Sequence, residues 1–218
     1  MIEKDITYYS ESRREMLKYI PSSAMKILDI GCGRGSFCVQ YSASTKEIWG
    51  IEPDPESAEI ASGIMFKVFN EKVETAIDSL PENYFDLIIF NDVLEHCIDP
   101  WSILERIKSK LLANGIVVSS IPNVRYIKNI SHLLFGKDWR YETGGILDST
   151  HLRFFTKKSM LSLFNNSGYK VEVIDGINRT KSIRFLILVF LFNLLFLFRH
   201  FDTIYKQFAI VSKKKQFP

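Results

Sequence analysis

The fold is decided by the stretch KILDIGCGRGSF at residues 26–37. Its apolar residues 27–30 predict a buried strand, and residues 36–41 predict that a helix begins after the glycines. Glycine tolerates positive φ angles and lets a ligand approach the backbone closely. In α/β sheets, a strand, a glycine turn and a helix in this order form a ligand crevice at the carboxyl end of the strands. The stretch therefore predicts a ligand-binding α/β sheet, with a tight turn that binds no ligand as the alternative.

Two details of this stretch narrow the class of ligand. Gly31, Gly33 and Gly35 follow the spacing Gly-x-Gly-x-Gly, whereas the dinucleotide fingerprint is Gly-x-Gly-x-x-Gly. Asp29 precedes the glycines, and its carboxylate would repel a pyrophosphate. The turn therefore suits a ligand that brings hydrogen-bond donors or positive charge, and it disfavours a nicotinamide dinucleotide.

A second acid follows the next predicted strand, residues 48–51. Glu52 lies roughly 20 residues beyond the glycine turn, the distance at which an acid commonly binds a ribose hydroxyl. A carboxylate accepts two hydrogen bonds at once, so it matches a vicinal diol. A solvated acid at the start of a loop is the alternative, but the glycine turn favours the ribose role.

The composition is that of a globular protein. The 218 residues are 46% hydrophobic and 24% charged, which is enough to bury a full core. The net charge of +3 does not indicate a nucleic-acid partner. Cys32, Cys38 and Cys97 lack the spacing of a disulfide framework or a zinc site, so we expect no metal site. The N-terminal residues lack the apolar core of a signal peptide, which predicts a cytoplasmic location.

The rest of the chain alternates strand and helix patterns, which predicts an α/β sheet. Residues 123–156 form a long aromatic stretch after a strand, and we expect it to roof the crevice as a cap on the acceptor side. A packing excursion is the alternative. Further strands are predicted at 66–70, 87–90, 116–121, 169–174 and 208–211, and helices at 12–20, 55–62, 100–112 and 157–166.

An apolar segment at residues 183–200 departs from this pattern. Its continuous apolar run is shorter than the roughly 18 residues expected of a membrane-spanning helix. Three interpretations stay open: a buried or dimer-forming helix, a short span, or an interfacial membrane helix. The basic residues that would flank an interfacial helix are Lys181, Arg184, Arg199 and Lys206. The segment therefore predicts a homodimer or peripheral contact with the inner face of a membrane as alternatives to burial.

Four motifs together resemble the class I S-adenosylmethionine-dependent methyltransferases. They are residues 27–35, 50–52, 85–88 and the sequence NDVLEH at 91–96, in that family's order and spacing. The resemblance implies a Rossmann-like α/β fold over residues 1–218, with a seven-stranded, mostly parallel sheet, helices on both faces and an antiparallel last strand. Two further stretches resemble a subgroup associated with bacterial surface-glycan synthesis.

The resemblance also implies how S-adenosylmethionine would bind. Asp29 and the glycine backbone would hold the methionine end, Glu52 the ribose hydroxyls, and Asn91 the region of the sulfonium. Ile51 and Pro53 would flank the adenine, whose amino group has no assigned partner. The full implied set is Asp29, Gly31, Cys32, Gly33, Gly35, Ile51, Glu52, Pro53 and Asn91.

Methyl transfer mainly requires that the acceptor is aligned with the methyl group, and an oxygen acceptor also needs a general base. His151 and His96 are the candidate bases because histidine titrates near neutral pH, and a structural histidine is the alternative for each. The expected acceptor is a hydroxyl of a small molecule, a sugar or a lipid-linked glycan. A non-catalytic S-adenosylmethionine-binding partner protein is the alternative function. The residues expected to bind the acceptor are Tyr9, Asn123, Arg125, Trp139 and Arg153.

Overall fold

A seven-stranded sheet forms the centre of the protein in a computed structural model that describes residues 13–42 and 45–215. Its strands are β1 (Lys26–Ile30), β2 (Glu47–Ile51), β3 (Lys67–Phe69), β4 (Phe85–Asn91), β5 (Leu111–Pro122), β6 (Tyr169–Arg179) and β7 (Tyr205–Lys214). They lie in the order β3-β2-β1-β4-β5-β7-β6. The pairs among β1 to β5 are parallel, and β7 is antiparallel to both β5 and β6. The predicted sheet, with its antiparallel last strand, is confirmed.

Helices connect these strands. The predicted helices at 55–62 and 157–166 are confirmed. Each begins at an N-terminal cap: Asp54 accepts from the Ser57 amide at 2.9 Å, and Thr156 and Ser159 form a capping box. The α-helices are α1 (Pro55–Ser62), α2 (Val73–Ala76), α3 (Pro100–Ile107), α4 (Ile127–Ser131), α5 (Lys157–Asn166) and α6 (Ile183–Leu195).

The prediction of a helix directly after the glycine turn is wrong. Only a short 3₁₀ turn, Cys38–Gln40, forms there. The chain leaves helical geometry at Tyr41, whose ring packs edge-to-face on Phe37 with centroids 5.1 Å apart, so the segment is too short to form an α-helix. The helix predicted at 100–112 also ends early, at Ile107, because β5 already begins at Leu111.

The core consists of two apolar layers, one on each face of the sheet. Alternate residues of a strand point to opposite faces, so Leu28 and Ile88 pack in one layer while Ile27 and Leu87 pack in the other. Helices α2, α3 and α5 cover the first layer with their buried apolar residues. Burial on both faces explains why residues 87–90 form a continuous apolar run.

Helix α6 packs beside α4 and leaves most of its apolar surface exposed. Val189 and Asn193 are its buried residues. Val189 packs in a small buried cluster with Ile127 and Ile204, whereas the outer residues of the helix are between 52% and 75% exposed. Across residues 13–42 and 45–215, we find no helix of the length and apolarity needed to cross a membrane. The outer surface of α6 consists of Ile183, Ile187, Phe190, Leu191, Leu194 and Leu195.

Candidate active site

An open cavity of about 2470 Å³ lies at the carboxyl ends of β1, β2 and β4. The ends of these strands contribute Asp29, Ile51, Glu52 and Asn91 to its wall. A site for one small molecule commonly measures about 300–1000 Å³. The cavity therefore has room for two ligands, at the edge of the sheet where the sequence predicts the crevice.

The glycine turn forms one rim of the cavity. The amides of Gly31 and Cys32 both donate to the carbonyl of Ile51, at 2.8 and 3.2 Å, which holds the turn against β2. Gly31 has a φ of +69°, and a Cβ there would lie 2.5 Å from a methyl carbon of Val93. Gly31, Cys32 and Gly33 line the cavity, but Gly35 does not. Gly35 therefore belongs to the turn but does not face the cavity.

Asp29 is a buried carboxyl group in the cavity wall, with 2% of its surface exposed. Its Oδ2 atom has no hydrogen-bond partner within the described part of the chain. Burial, together with the nearby Glu52 carboxylate, raises the pKa of Asp29 from 3.8 to about 7. A buried polar atom without a partner costs free energy, so this carboxyl group suits a ligand that supplies a donor or a positive charge.

Glu52 lies across the glycine turn from Asp29 and lines the same cavity. One of its oxygens accepts from the Gly33 amide and the other from the Asp54 amide, each at 2.9 Å. Burial raises the pKa of Glu52, while these two amides act to lower it. Because two separate backbone donors hold the carboxylate, its orientation toward the cavity is fixed before any ligand binds.

Asn91 closes the cavity on the β4 side. Its Oδ1 and Nδ2 atoms are both buried, and neither has a hydrogen-bond partner among the residues that the structure describes. A carboxamide offers both donors and acceptors. Together with Asp29, it gives the cavity wall unsatisfied groups of both kinds, which fits a ligand as polar as S-adenosylmethionine.

Asp92 and Arg13 form a polar network beside Asn91 that the sequence analysis missed. Arg13 pairs with Asp92, which also accepts from the side chains of Ser120 and Gln207, at 2.9 and 2.8 Å. Both Arg13 and Asp92 have positive φ angles. Asp92 belongs to the polar motif at 91–96, so the sequence contained a local indication of it. Arg13 comes from a distant part of the chain, and no local pattern indicates it.

The two candidate histidines meet at the far end of the cavity. Their ring centroids lie 4.6 Å apart, and both residues line the cavity. The Nδ1 atom of His151 lies 2.9 Å from the Ile146 carbonyl oxygen, and its Nε2 atom lies 4.0 Å from the Glu95 carboxylate. The Nδ1 atom of His96 lies 3.2 Å from the Thr150 carbonyl oxygen. Glu95 directly precedes His96 in the motif at 91–96, but no role at the site was predicted for it.

Asn123 and Arg125 do not line the cavity, contrary to the role expected of them. Asn123 is fully buried, and its side-chain amide donates to the carbonyls of Asp202 and Tyr205, at 2.9 and 3.0 Å. Arg125 pairs with the Asp202 carboxylate at 2.7 Å. Both side chains therefore tie the end of β5 to the segment before β7.

Trp139 and Arg153 also lie outside the cavity lining. Trp139 packs edge-to-face on Phe154, with ring centroids 5.2 Å apart, and Arg153 donates to the Ile98 carbonyl at 2.6 Å. Tyr9 lies outside the described residues. Residues 143–146 and 150–152, which the sequence analysis did not single out apart from His151, contribute instead to this end of the cavity.

A protein family described as a methyltransferase domain matches residues 1–173 of the chain. The chain belongs to this family. The match bears out the predicted enzyme class and S-adenosylmethionine as the cofactor, and the residues fit that cofactor, since the cavity holds both Asp29 and Glu52 and presents the unsatisfied amide of Asn91.

Solved structures agree with the fold of this methyltransferase. An S-adenosylmethionine-dependent methyltransferase from Archaeoglobus fulgidus superposes with a TM-score of 0.66 at 22% identity, covering 92% of this chain and 91% of that chain. A possible histamine N-methyltransferase from Thermotoga maritima superposes with a TM-score of 0.65 at 17% identity, covering 94% and 88%. Identities this low establish the shared fold alone.

Curated relatives of the methyltransferase carry the name ubiquinone biosynthesis O-methyltransferase. One from Bradyrhizobium diazoefficiens is 30% identical over 53% of this chain and 46% of the relative. One from Cereibacter sphaeroides is 26% identical over 73% of this chain and 66% of the relative. The chain thus spans about half to two thirds of the length of these relatives. They do not support the narrower resemblance to a glycan-synthesis subgroup.

Proposed function

We propose that this methyltransferase transfers a methyl group from S-adenosylmethionine to a hydroxyl group. The observation that carries the proposal is the pair of buried carboxyl groups, Asp29 and Glu52, that face one cavity from neighbouring strand ends. A carboxylate near each end of the cofactor would hold its ammonium group and its ribose diol. Relatives that are named as O-methyltransferases support an oxygen acceptor.

In this mechanism the protein mainly aligns its ligands. S-adenosylmethionine supplies an already activated methyl group, so positioning accounts for much of the rate. Asp29 and Glu52 fix the cofactor, and Asn91 orients the part of it that faces the acceptor. His96 and His151 then border the space left for the acceptor, where residues 143–146 and 150–152 of the proposed cap, about residues 123–156, line the cavity.

Calorimetric titration of the purified protein with S-adenosylmethionine tests the cofactor half of this proposal. We expect one binding site per chain, and competition by S-adenosylhomocysteine at the same site. Circular dichroism of the same sample controls for folding. A folded protein that binds neither compound would contradict the proposed function.

The acceptor that we propose is a hydroxyl of a lipid-linked glycan. The support for an apolar tail is α6, because Phe185 and Leu186 line the cavity while the opposite side of the helix is apolar and exposed. The names of the curated relatives offer a ubiquinone precursor as the second candidate. Mass spectrometry of lipid and glycan extracts distinguishes the two, since deletion of the gene should remove a methyl group from only one class.

We further propose that the outer surface of α6 contacts an anionic membrane surface. Its apolar residues recur at helical spacing, and Lys181, Arg184, Arg199 and Lys206 flank it. Apolar residues flanked by basic ones are typical of interfacial helices, which lie within the headgroup region without spanning the bilayer. Such contact would bring the mouth of the cavity to a lipid-linked acceptor.

The triple variant Ile187→Gln, Leu191→Gln and Leu194→Gln is expected to lose vesicle binding. Burial of each of these side chains in an apolar phase contributes roughly 1.5–3 kcal/mol to the free energy of membrane binding. Vesicle affinity should therefore fall by about 100-fold or more. Flotation with phosphatidylglycerol vesicles measures this change. The control variant Val39→Gln, on another exposed surface, should float like the wild type.

Light scattering of the protein without vesicles measures its molar mass, and so distinguishes membrane binding by α6 from dimerisation through α6. A vesicle-free homodimer that the triple variant dissociates would replace the membrane proposal. Equal flotation of the triple variant and the wild type would also overturn it.

A further inference from the structure

Glu95, His96 and His151 bring one carboxylate and two imidazoles together at the acceptor end of the cavity. One potential ligand atom from each residue lies within 4.8 Å of the other two. We propose that these three residues bind a divalent transition-metal cation that positions the acceptor oxygen. This inference rests on the proposed function, and it revises the expectation of no metal site, which considered only the spacing of the cysteines.

The distances are close to those of a coordinated site. Nitrogen and carboxylate ligands lie about 2.0–2.2 Å from a metal such as zinc, which places neighbouring ligand atoms roughly 3–3.5 Å apart. The His151 Nε2 atom and the Glu95 Oε1 atom are 4.0 Å apart. The ligand atoms are therefore slightly farther apart than in an occupied site, and the three side chains would move together when a cation binds.

A carbonyl oxygen lies beside the Nδ1 atom of each histidine, which favours Nε2 as the metal ligand. Metal-binding histidines usually donate from their other ring nitrogen to a carbonyl or carboxylate group, which fixes the tautomer. The Nδ1 atom of His151 lies 2.9 Å from the Ile146 carbonyl, and that of His96 lies 3.2 Å from the Thr150 carbonyl. Donation from Nδ1 in each case places the lone pair on Nε2.

The backbone holds the two halves of the cluster in place. The amides of Leu152 and Arg153 both donate to the Glu95 carbonyl, at 2.9 and 3.0 Å. The His151 amide donates to the Asp148 carbonyl at 3.0 Å. The loop that carries His151 is therefore fixed directly to the segment that carries Glu95, and the cluster does not depend on side-chain contacts alone.

The donor set indicates the class of cation. Two imidazoles and one carboxylate suit zinc, manganese or ferrous iron, whereas magnesium and calcium prefer oxygen ligands alone. Glu95 and His151 are only 1% and 8% exposed, so water competes weakly for the ligand atoms. Three protein ligands leave coordination positions open, as in catalytic sites.

An open position at this end of the cavity would bind the acceptor hydroxyl and lower its pKa. The hydroxyl proton then passes to bulk water, the oxygen forms a bond to the methyl carbon, and the electron pair of the broken carbon–sulfur bond stays on sulfur. In this arrangement the two histidines serve as ligands, and a separate protein base is not required.

Titration of chelator-treated protein with Co²⁺ tests the site without an activity assay. We expect one Co²⁺ per chain with visible absorption bands of a nitrogen–oxygen site, and displacement by Zn²⁺. Glu95→Gln and His151→Gln should each weaken binding by about 100-fold or more, since even residues that only orient a ligand contribute about 10- to 100-fold. The control His132→Gln lies outside the cluster and should bind like the wild type.

The outcomes separate this inference from the proposed function. Should Glu95→Gln fail to fold by circular dichroism, the less buried His96→Gln serves in its place. Absence of Co²⁺ binding, or binding that all three variants retain, overturns the metal site. Titration of the same samples with S-adenosylmethionine reports on the cofactor alone, so loss of one ligand with retention of the other identifies which proposal has failed.

Discussion

Asp29→Asn is expected to stabilise the ligand-free protein at pH 8 and to weaken S-adenosylmethionine binding. The pKa of Asp29 is raised from 3.8 to about 7, mainly by burial. Between these two values the folded state holds a proton that the unfolded state has lost, so stability falls as the pH rises from about 4 to 7. Asparagine carries no charge and avoids this penalty, which amounts to several kcal/mol at about 1.4 kcal/mol per pKa unit.

Chemical denaturation of both proteins between pH 4 and 9 measures this effect. The wild type should lose stability over that window, and Asp29→Asn should lose less. Asp78→Asn is the control, because Asp78 is an exposed acid whose replacement should change the free energy of unfolding by roughly 0.5 kcal/mol or less. A less stable Asp29→Asn variant at pH 8 would show that the carboxylate is satisfied in the native protein.

The same pKa gives cofactor binding a pH dependence. Only the ionised form of Asp29 pairs with a ligand ammonium group, so affinity should fall by about tenfold for each unit below pH 7. Calorimetry at pH 6, 7 and 8 measures this slope. Asp29→Asn should bind weakly at every pH, and a wild-type slope that survives in the variant would assign the titration to another group.

Glu52→Ala is expected to weaken S-adenosylmethionine binding by about 100-fold or more. Each hydrogen bond to a charged group contributes roughly 1.5–3 kcal/mol, and Glu52 would accept from two ribose hydroxyls. The Gly33 and Asp54 amides lose their acceptor in this variant, so circular dichroism and thermal unfolding must accompany the titration.

Glu56→Ala is the matched control for this substitution. Glu56 is an exposed acid near the same turn, where it pairs with Arg34 outside the cavity lining, and its replacement should leave cofactor affinity unchanged. If a folded Glu52→Ala protein binds S-adenosylmethionine like Glu56→Ala, the ribose role is wrong.

The local sequence was sufficient to predict the strands and helices that form the crevice. The run 87–90 and the helices α1 and α5 each lie within a few residues of their signal, so the local residue pattern predicted them. The predicted helix after the glycines does not form because the chain leaves helical geometry at Tyr41, whose ring packs on Phe37. Its local pattern contained no information about that packing.

Some residues of the candidate site could also be placed from local sequence, and others could not. Asp29 and Glu52 could be paired from sequence because Asp29 lies near the end of β1 and Glu52 directly follows β2, and the ends of these parallel strands meet at one edge of the sheet. Arg125 could not be assigned correctly, since its partner Asp202 is 77 positions away in the chain. Its charge alone made it resemble an acceptor-binding residue.

The sequence by itself determined the sheet, the glycine turn and the two facing acids of this methyltransferase, because these depend on periodicity and on spacing within one strand–turn–strand unit. Only the tertiary structure decided that His151 lies beside Glu95 and His96, and that α6 exposes its apolar surface next to the cavity mouth. Contacts between segments more than 50 positions apart, such as that between His96 and Thr150, depend on how the whole chain packs. No local pattern of residues encodes them.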